Sequence, residues 1–355
     1  MSHFEKEILK SIEINEIQKL TELKNKIILV TGGTGFLGLW IAETIRLLNE
    51  KFSFNTSIHL LSRDPYKNIE KAPHLFNDKS INFIEKDVRD IFELPVDIDF
   101  VIHAASDPDT RAHSSNPLNV IETAIKGTDN VLSACMRSNR IKKILLVSSG
   151  LVSGVRDVDS PAIKENSYTG IDPTSISNVY AESKRMAESI AFSYKSLYKL
   201  PIVISRPFTF VGPYQSMEKP WVINNFIRDA SSGGPIRILG NKNTRRSYIY
   251  GTDAASWTIK ILINGAAGQI YNVAGKDSFS VQEIAEKVQS AMNKNVAISY
   301  DSTNDSLNSN MFVADLEQSL GLRLHQTISI DESIQHTIKW HLLRLQHLKQ
   351  KNEHN

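Results

Sequence analysis

The sequence predicts an α/β fold: a doubly wound parallel sheet, followed by a smaller α/β domain. Three observations predict it. Short continuous apolar runs such as "KIILV" and "KKILLV" recur along the first two thirds of the chain. Between them lie stretches of helical period, such as "FLGLWIAETIRLLNE". Strands that alternate with helices pair in parallel and are buried on both faces, which is why their apolar runs are unbroken. After Phe208 the pattern loosens into text rich in Gly, Pro, Ser and Asn ("GPYQSMEKP", "SSGGPIRILGNKNT"), as at the start of an appended domain.

Element by element, apolar residues from Phe4 to Leu23 (Phe4, Ile8, Ile12, Ile17, Leu20) fall at roughly helical spacing, which predicts an amphipathic helix docked on the body or on a partner subunit. Strands follow at "KIILV", "SIHLLSR", "INFIEKD", "IDFVIHAAS", "KKILLVSS" and "LPIVISRPF", with helices at about 36–50, 117–138 and 179–198. Beyond them, "WVINNFIRDA" and 251–264 read as helices and "QIYNVAG" as a strand. "SVQEIAEKVQSAM" reads as a Ser-capped helix and "SIQHTIKWHLLRLQHL" as a terminal one, with "KQKNEHN" expected to fray. The expected division is an N-terminal helical extension (1–24), a dinucleotide-binding domain (25–208, with 246–275 returning to it) and a mainly substrate-binding domain (209–350).

Composition narrows the function classes. The chain has 355 residues, 41% hydrophobic, with a formal charge of +2. Basic residues are scattered and nearly balanced by acidic ones, so neither nucleic acid nor a membrane surface is an expected partner. The first twenty residues carry Glu and Lys throughout, unlike a leader or a membrane span, and the expectation is a cytoplasmic protein. The single Cys135 reads as a packed residue in a reducing compartment. The ten His residues show no metal-ligand spacing, and His103 reads as packed or cofactor-side.

The strongest local signal is "ILVTGGTGFLG", residues 28–38, between a strand and a helix. Gly32 and Gly33 allow a tight turn, Gly35 lets backbone N–H groups approach a diphosphate, and Gly38 lets the helix pack on the sheet. The helix N-terminus adds partial positive charge. At the end of the second strand, where an acid would hold the ribose hydroxyls of NAD, the chain has Ser62 and Arg63. A guanidinium beside a hydroxyl suits a 2′-phosphate, so NADP(H) is favoured and NAD(H) stays open. Asp87 in "EKDVRD" is a candidate acceptor for the adenine amino group, and "HAAS" (103–106) places small residues beside the cofactor. In "YAESK", Tyr180 and Lys184 are four apart and share one helix face, so an ammonium sits near a phenol and favours its ionisation.

Together with the serine-ended strand "VSSGLVSG", these motifs resemble the extended branch of the short-chain dehydrogenase/reductase superfamily: nucleotide-sugar epimerases, dehydratases, decarboxylases and reductases on a Rossmann-type sheet. The resemblance spans residues 24–275 and includes "DVRD", "KGTDNVL", "SRPFTFVGPY", "RRSYIYGTDAA" and "YNVAG" in order. "HAASDPDTRAHSSNP" is similar to the same segment of the UDP-glucuronate decarboxylases. The resemblance implies that Tyr180 is the catalytic acid/base, that Lys184 lowers its pKa and holds the nicotinamide ribose, and that Ser149 bonds the substrate oxygen. It places Phe36, Leu37, Val88, Ala104, Ala105 and Pro207 against the cofactor, and Thr209, Asn225 and Arg246 on a nucleoside-diphosphate sugar, Arg246 at the diphosphate. It further implies a homodimer through the helices near 118–138 and 179–198, and work in cell-surface polysaccharide biosynthesis.

The chain departs from the family at three places. Ala124 replaces an Asn expected three residues before Gly127, and Thr209 replaces an Asn expected at the substrate diphosphate. After Ser149, where dehydratases and decarboxylases carry acids, stand Gly150 and Leu151, which move no proton. Dehydration is disfavoured most and decarboxylation next. Reduction of a 4-keto (6-deoxy) sugar and 4-epimerisation both need only a hydride and one proton, and Ser62 with Arg63 tips the choice to the reductase. A catalytically silent NAD(P)-sensing protein is the non-enzyme alternative, opposed by the intact Tyr180 and Lys184.

Overall fold

A computed structural model describes residues 4–91, 93–95, 97–154, 161–292, 296–306 and 309–353. The strands β1 (Ile27–Thr31), β2 (Ser57–Ser62), β3 (Ile81–Glu85), β4 (Phe100–His103), β5 (Lys143–Val147) and β6 (Ile202–Pro207) are joined by Ile270–Val273. They form one seven-stranded sheet in the order Ile270–Val273, β6, β5, β4, β1, β2, β3, every neighbouring pair parallel. The order reverses between β1 and β4. That switch point leaves a crevice at the carboxyl ends of the strands, where such sheets take ligands.

The apolar runs bury both faces, as the sequence requires. Ile28, Val30, Leu145 and Val203 pack on one face with the helices Phe36–Phe52 and Gly251–Asn264. Their neighbours Leu29, Ile144, Leu146, Ile202 and Ile204 pack on the other, with Pro117–Met136 and Val179–Tyr198. This is the two-residue alternation of a strand applied to an all-apolar sequence. Cys135 lies in the second layer, where burial pushes its thiol up to about 12, so it is a packing residue.

The N-terminal extension differs from the single helix expected. Glu5–Ile12 is α-helical, Glu13 takes φ +55°, and Ile14–Leu23 continues as a 3₁₀ helix. The turn at Glu13 redirects the chain so that Leu20 and Leu23, like Ile8 and Ile12, reach the core. The segment docks on the body. Phe4, Ile8, Ile12, Leu20 and Leu23 are buried. Phe4 packs against Trp40 and Tyr214, Ser11 Oγ lies 2.7 Å from Thr252 Oγ1, and Lys51 pairs with Glu5 at 2.8 Å. This cover explains why Gly251–Asn264 is buried along nearly its whole length.

A second apolar core, including Val211, Ile223, Phe226, Ile227, Ile284, Val288 and Ile334, lies under the later segments. There the strand Arg245–Tyr250 is flanked by Ser278–Ser280 and Met311–Phe312, and also pairs with Thr209–Val211. Ser280 caps Val281–Ala291 in a reciprocal pair with Glu283. The terminal helix runs Ile330–Glu353 through most of the tail expected to fray, whose last two residues lie outside the described ones. Among the described residues no helix is long and apolar enough to cross a membrane.

Candidate active site

The glycine turn is shaped by crowding. Gly32 has φ +68°, and a Cβ there would sit 2.8 Å from the Ala104 carbonyl oxygen at the end of β4. A Cβ on Gly33 would lie 2.7 Å from Leu60 Cα on β2, and one on Gly38 would run into the Gly33 backbone. No side chain fits between these strands. Gly35 opens Phe36–Phe52 with no side-chain cap, so the helix's first N–H groups stay available to an anion. A cleft of about 490 Å³ opens there, with Gly32, Gly35, Ser62, Arg63, Asp87, Val88, Ala105 and Ser106 among its lining residues. A Cβ-free cradle over a helix N-terminus, beside a polar cleft, fits a dinucleotide.

Not every expected cofactor residue lines that cleft. Phe36 lies against Phe210 with ring centroids 5.2 Å apart, and Leu37 joins the core beneath the sheet. Pro207 ends β6 opposite Val273. Ala104 and Ala105 are tied to Thr31 through their N–H groups, at 3.2 Å each. The cleft also takes in Thr34, Lys67, Asn68, Lys86, Asp107 and Asn119, which the sequence does not single out and which come together only in the fold.

At the ribose end, Ser62 Oγ accepts a hydrogen bond from Thr34 at 2.9 Å, and Arg63 is exposed. Asp64 is occupied in capping the Lys67 N–H at 3.1 Å. Asp87, the expected adenine acceptor, lines the cleft and is also held from its own turn. Arg89 donates to both of its oxygens, Nη2 at 2.6 Å and Nε at 3.1 Å, and holds the carboxyl below its usual range. The cause is local: two residues on, Arg89 reaches back to its own turn and leans on Asn119.

Tyr180 and Lys184 lie one turn apart on Val179–Tyr198, both buried. Lys184 Nζ donates to the Val147 carbonyl at the end of β5 (2.9 Å) and stands 5.9 Å from the Tyr180 ring centre. Burial lowers the ammonium to about 8 and raises the phenol. Ser149, just past β5, accepts from the Leu151 N–H at 3.2 Å and caps the turn Gly150–Ser153. Among the described residues the Tyr180 hydroxyl bonds Ser106 at 3.4 Å, and Ser149 makes no hydrogen bond to it. His103 is packed, as expected, between Thr31 (2.7 Å) and Thr128 (3.1 Å), and burial drives it down to about 3.

Of the substrate candidates, Thr209 and Arg246 lie on paired strands, Thr209 opposite Tyr248. The Arg246 guanidinium stands 5.7 Å from the centre of the Phe312 ring and makes no side-chain hydrogen bond among the described residues. Asn225, near the start of Val222–Ser231, accepts a hydrogen bond from Arg228 on its side-chain oxygen at 2.7 Å. The geometry therefore leaves a guanidinium free at Arg246 and a phenol with an ammonium at the carboxyl edge of the sheet.

Residues 28–274 match the NAD dependent epimerase/dehydratase family, and the chain belongs to it. UDP-glucuronic acid decarboxylase 3 of Arabidopsis thaliana is 27% identical over 277 residues, 77% of each chain. A trifunctional UDP-glucose 4,6-dehydratase/3,5-epimerase/4-keto-L-rhamnose-reductase of the same plant is 28% identical over 273 residues; the match covers 76% of this chain but only 40% of that protein. Among solved structures, the dTDP-glucose 4,6-dehydratase of Streptomyces venezuelae with NAD and TYD bound superposes with a TM-score of 0.76 at 23% identity. That superposition covers 88% of this chain and 96% of the other and supports the Rossmann-type fold.

Proposed function

We propose that the protein reduces a 4-keto (6-deoxy) nucleoside-diphosphate sugar, with NADPH as reductant and Tyr180 as proton donor. The observation that carries this reading is what surrounds Ser149. A Cβ on Gly150 would lie 2.7 Å from the Phe208 ring, which is itself stacked on Phe312 at 4.5 Å. Leu151 packs against the same apolar cluster. An acid at position 150 would displace Phe208, and one at 151 would set a charge against a partly buried apolar cluster. Elimination and decarboxylation want such groups; addition of a hydride and a proton does not.

The bound cofactor supplies the hydride. The chain's own residues do the rest: the glycine turn and helix N-terminus hold the diphosphate, and Lys184 presents its charge to the phenol. Ser149 bonds the ketone oxygen, and Tyr180 gives that oxygen its proton. Burial keeps the phenol protonated at neutral pH, which suits an acid. As pH rises through about 8, Lys184 loses the charge that assists Tyr180. The reduction rate is expected to hold below that pH and fall above it; a profile flat well past pH 8 would remove Lys184 from this role.

The preference for NADPH rests on Ser62 and Arg63, and on Lys67 and Lys86 in the same cleft; none of these three cations has an ion-pair partner among the described residues. Arg63→Ala is expected to weaken NADPH binding on the order of tenfold while leaving NADH nearly unchanged. Equal losses for both cofactors in a fluorescence titration would point away from a 2′-phosphate. A homodimer through Pro117–Met136 and Val179–Tyr198 belongs to the same reading, supported by Leu118, Met186, Leu197 and Tyr198, which these helices expose. The function itself is tested by following NADPH absorbance with a panel of nucleotide sugars. Consumption with 4-keto-6-deoxy forms is expected; interconversion of C4 epimers without consumption would make the protein an epimerase.

A further inference from the structure

A buried phenol that gives up a proton in each turnover must recover one. Tyr180 is 8% exposed, and among the described residues its hydroxyl has one hydrogen-bond partner, Ser106 Oγ, which donates at 3.4 Å. That is a long contact of the kind that tightens when a site is loaded. Two other proton-bearing side chains of the site are held by neighbours other than the phenol oxygen. Lys184 Nζ donates to the Val147 carbonyl, and Ser149 Oγ accepts from the Leu151 N–H and keeps its own proton for the ketone oxygen.

Ser106 is firmly placed. It follows β4 and lines the cleft. Seven residues on, the His113 ring lies nearly parallel to the Tyr180 phenol, 4.6 Å between centres and 9° between planes, and His113 Nε2 donates to the Asp107 carbonyl at 2.9 Å. From a later loop, Lys219 Nζ donates to Asp107 (3.2 Å) and Asp109 (2.9 Å). The segment 106–113 is thus pinned against Tyr180 at both ends.

We propose that Ser106 is a further catalytic residue, the hydroxyl through which Tyr180 recovers its proton from the cleft. The proposal rests on the reductase reading, in which one proton is spent per turnover. The Tyr180 O–H bond breaks as one forms on the former ketone oxygen. The Ser106 O–H bond then breaks as the Tyr180 O–H re-forms, and Ser106 Oγ takes a proton from cleft water. The solvent supplies one net proton, and neither side chain is oxidised or reduced.

The test combines a titration with kinetics, on protein saturated with oxidised cofactor for the former. Ultraviolet phenolate absorbance of the wild type minus that of Tyr180→Phe isolates the Tyr180 step. The charged and titratable groups facing it, Lys184 on its own helix and Asp107, His113 and Lys219 opposite, are the same in every variant. Ser106→Ala removes a donor to the phenolate and is expected to move the step up by about one pH unit, and Ser106→Thr to restore it. In the reduction assay Ser106→Ala is expected to lower kcat roughly tenfold with KM unchanged and to raise the solvent deuterium isotope effect, again with rescue by Thr. An unmoved titration step, or an unchanged kcat and isotope effect, overturns the proposal. Were no keto sugar reduced, the titration would still decide the Ser106–Tyr180 pairing, and the reading of the reaction alone would fall.

Discussion

Tyr180→Phe lowers kcat by roughly 10²–10⁴-fold and leaves NADPH binding close to that of the wild type. The substitution removes one oxygen atom from a ring that keeps all its packing, including the His113 stack. The Lys184 ammonium stays on the Val147 carbonyl, and the glycine turn is untouched. The loss is therefore one of proton transfer and appears in kcat rather than in the cofactor's dissociation constant. Single-turnover absorbance with a keto sugar, beside a fluorescence titration of NADPH, separates the two. A variant that kept its rate would remove Tyr180 from the mechanism, and one that lost cofactor would show a structural role.

Arg206→Met destabilises the protein by about 3–5 kcal/mol, because it leaves a buried carboxylate alone. Arg206, on β6, is fully buried and forks onto Glu188 at 2.8 and 2.7 Å. Its remaining donors go to the Glu165 carbonyl (2.7 Å) and the Tyr168 hydroxyl (2.9 Å). Glu188 stands one turn past Lys184 on the tyrosine helix and its charge favours the ammonium. The pair thus ties that helix to the sheet, and its loss should also loosen the catalytic end. Chemical denaturation reads the stability change. The double replacement Arg206→Met with Glu188→Leu is expected to recover most of it, since two apolar side chains need no partners. A single variant as stable as the wild type would show that the pair adds little to stability.

What the sequence makes legible is what single residue types force. The sheet is readable because strands buried on both faces must be apolar without interruption, as in "IILV" and "KILLV". The turn after β1 is readable because three of its positions exclude a Cβ. Tyr180 and Lys184 are readable because helical spacing alone puts them on one face. The rest depends on contacts between distant segments or on local competition. Ser106 meets Tyr180 across 74 residues, and nothing in "HAASD" marks it. That Arg89 folds back onto Asp87 within the cleft is likewise unmarked in the sequence. The break at Glu13 is not marked in the sequence, where the apolar residues run on at roughly helical spacing. Gly150, informative in sequence for the acid it lacks, has a packing cause that only the Phe208 ring reveals.

The central claim is that the site delivers a hydride and a proton to a ketone and stops there. NADPH carrying deuterium at C4 of the nicotinamide, incubated with a 4-keto-6-deoxy nucleotide sugar, tests this most directly by mass and NMR analysis of the product. The account predicts one deuterium at sugar C4 for each NADPH consumed, from one face of the cofactor only. Product formed without cofactor consumption, or with the label elsewhere than C4, would contradict it.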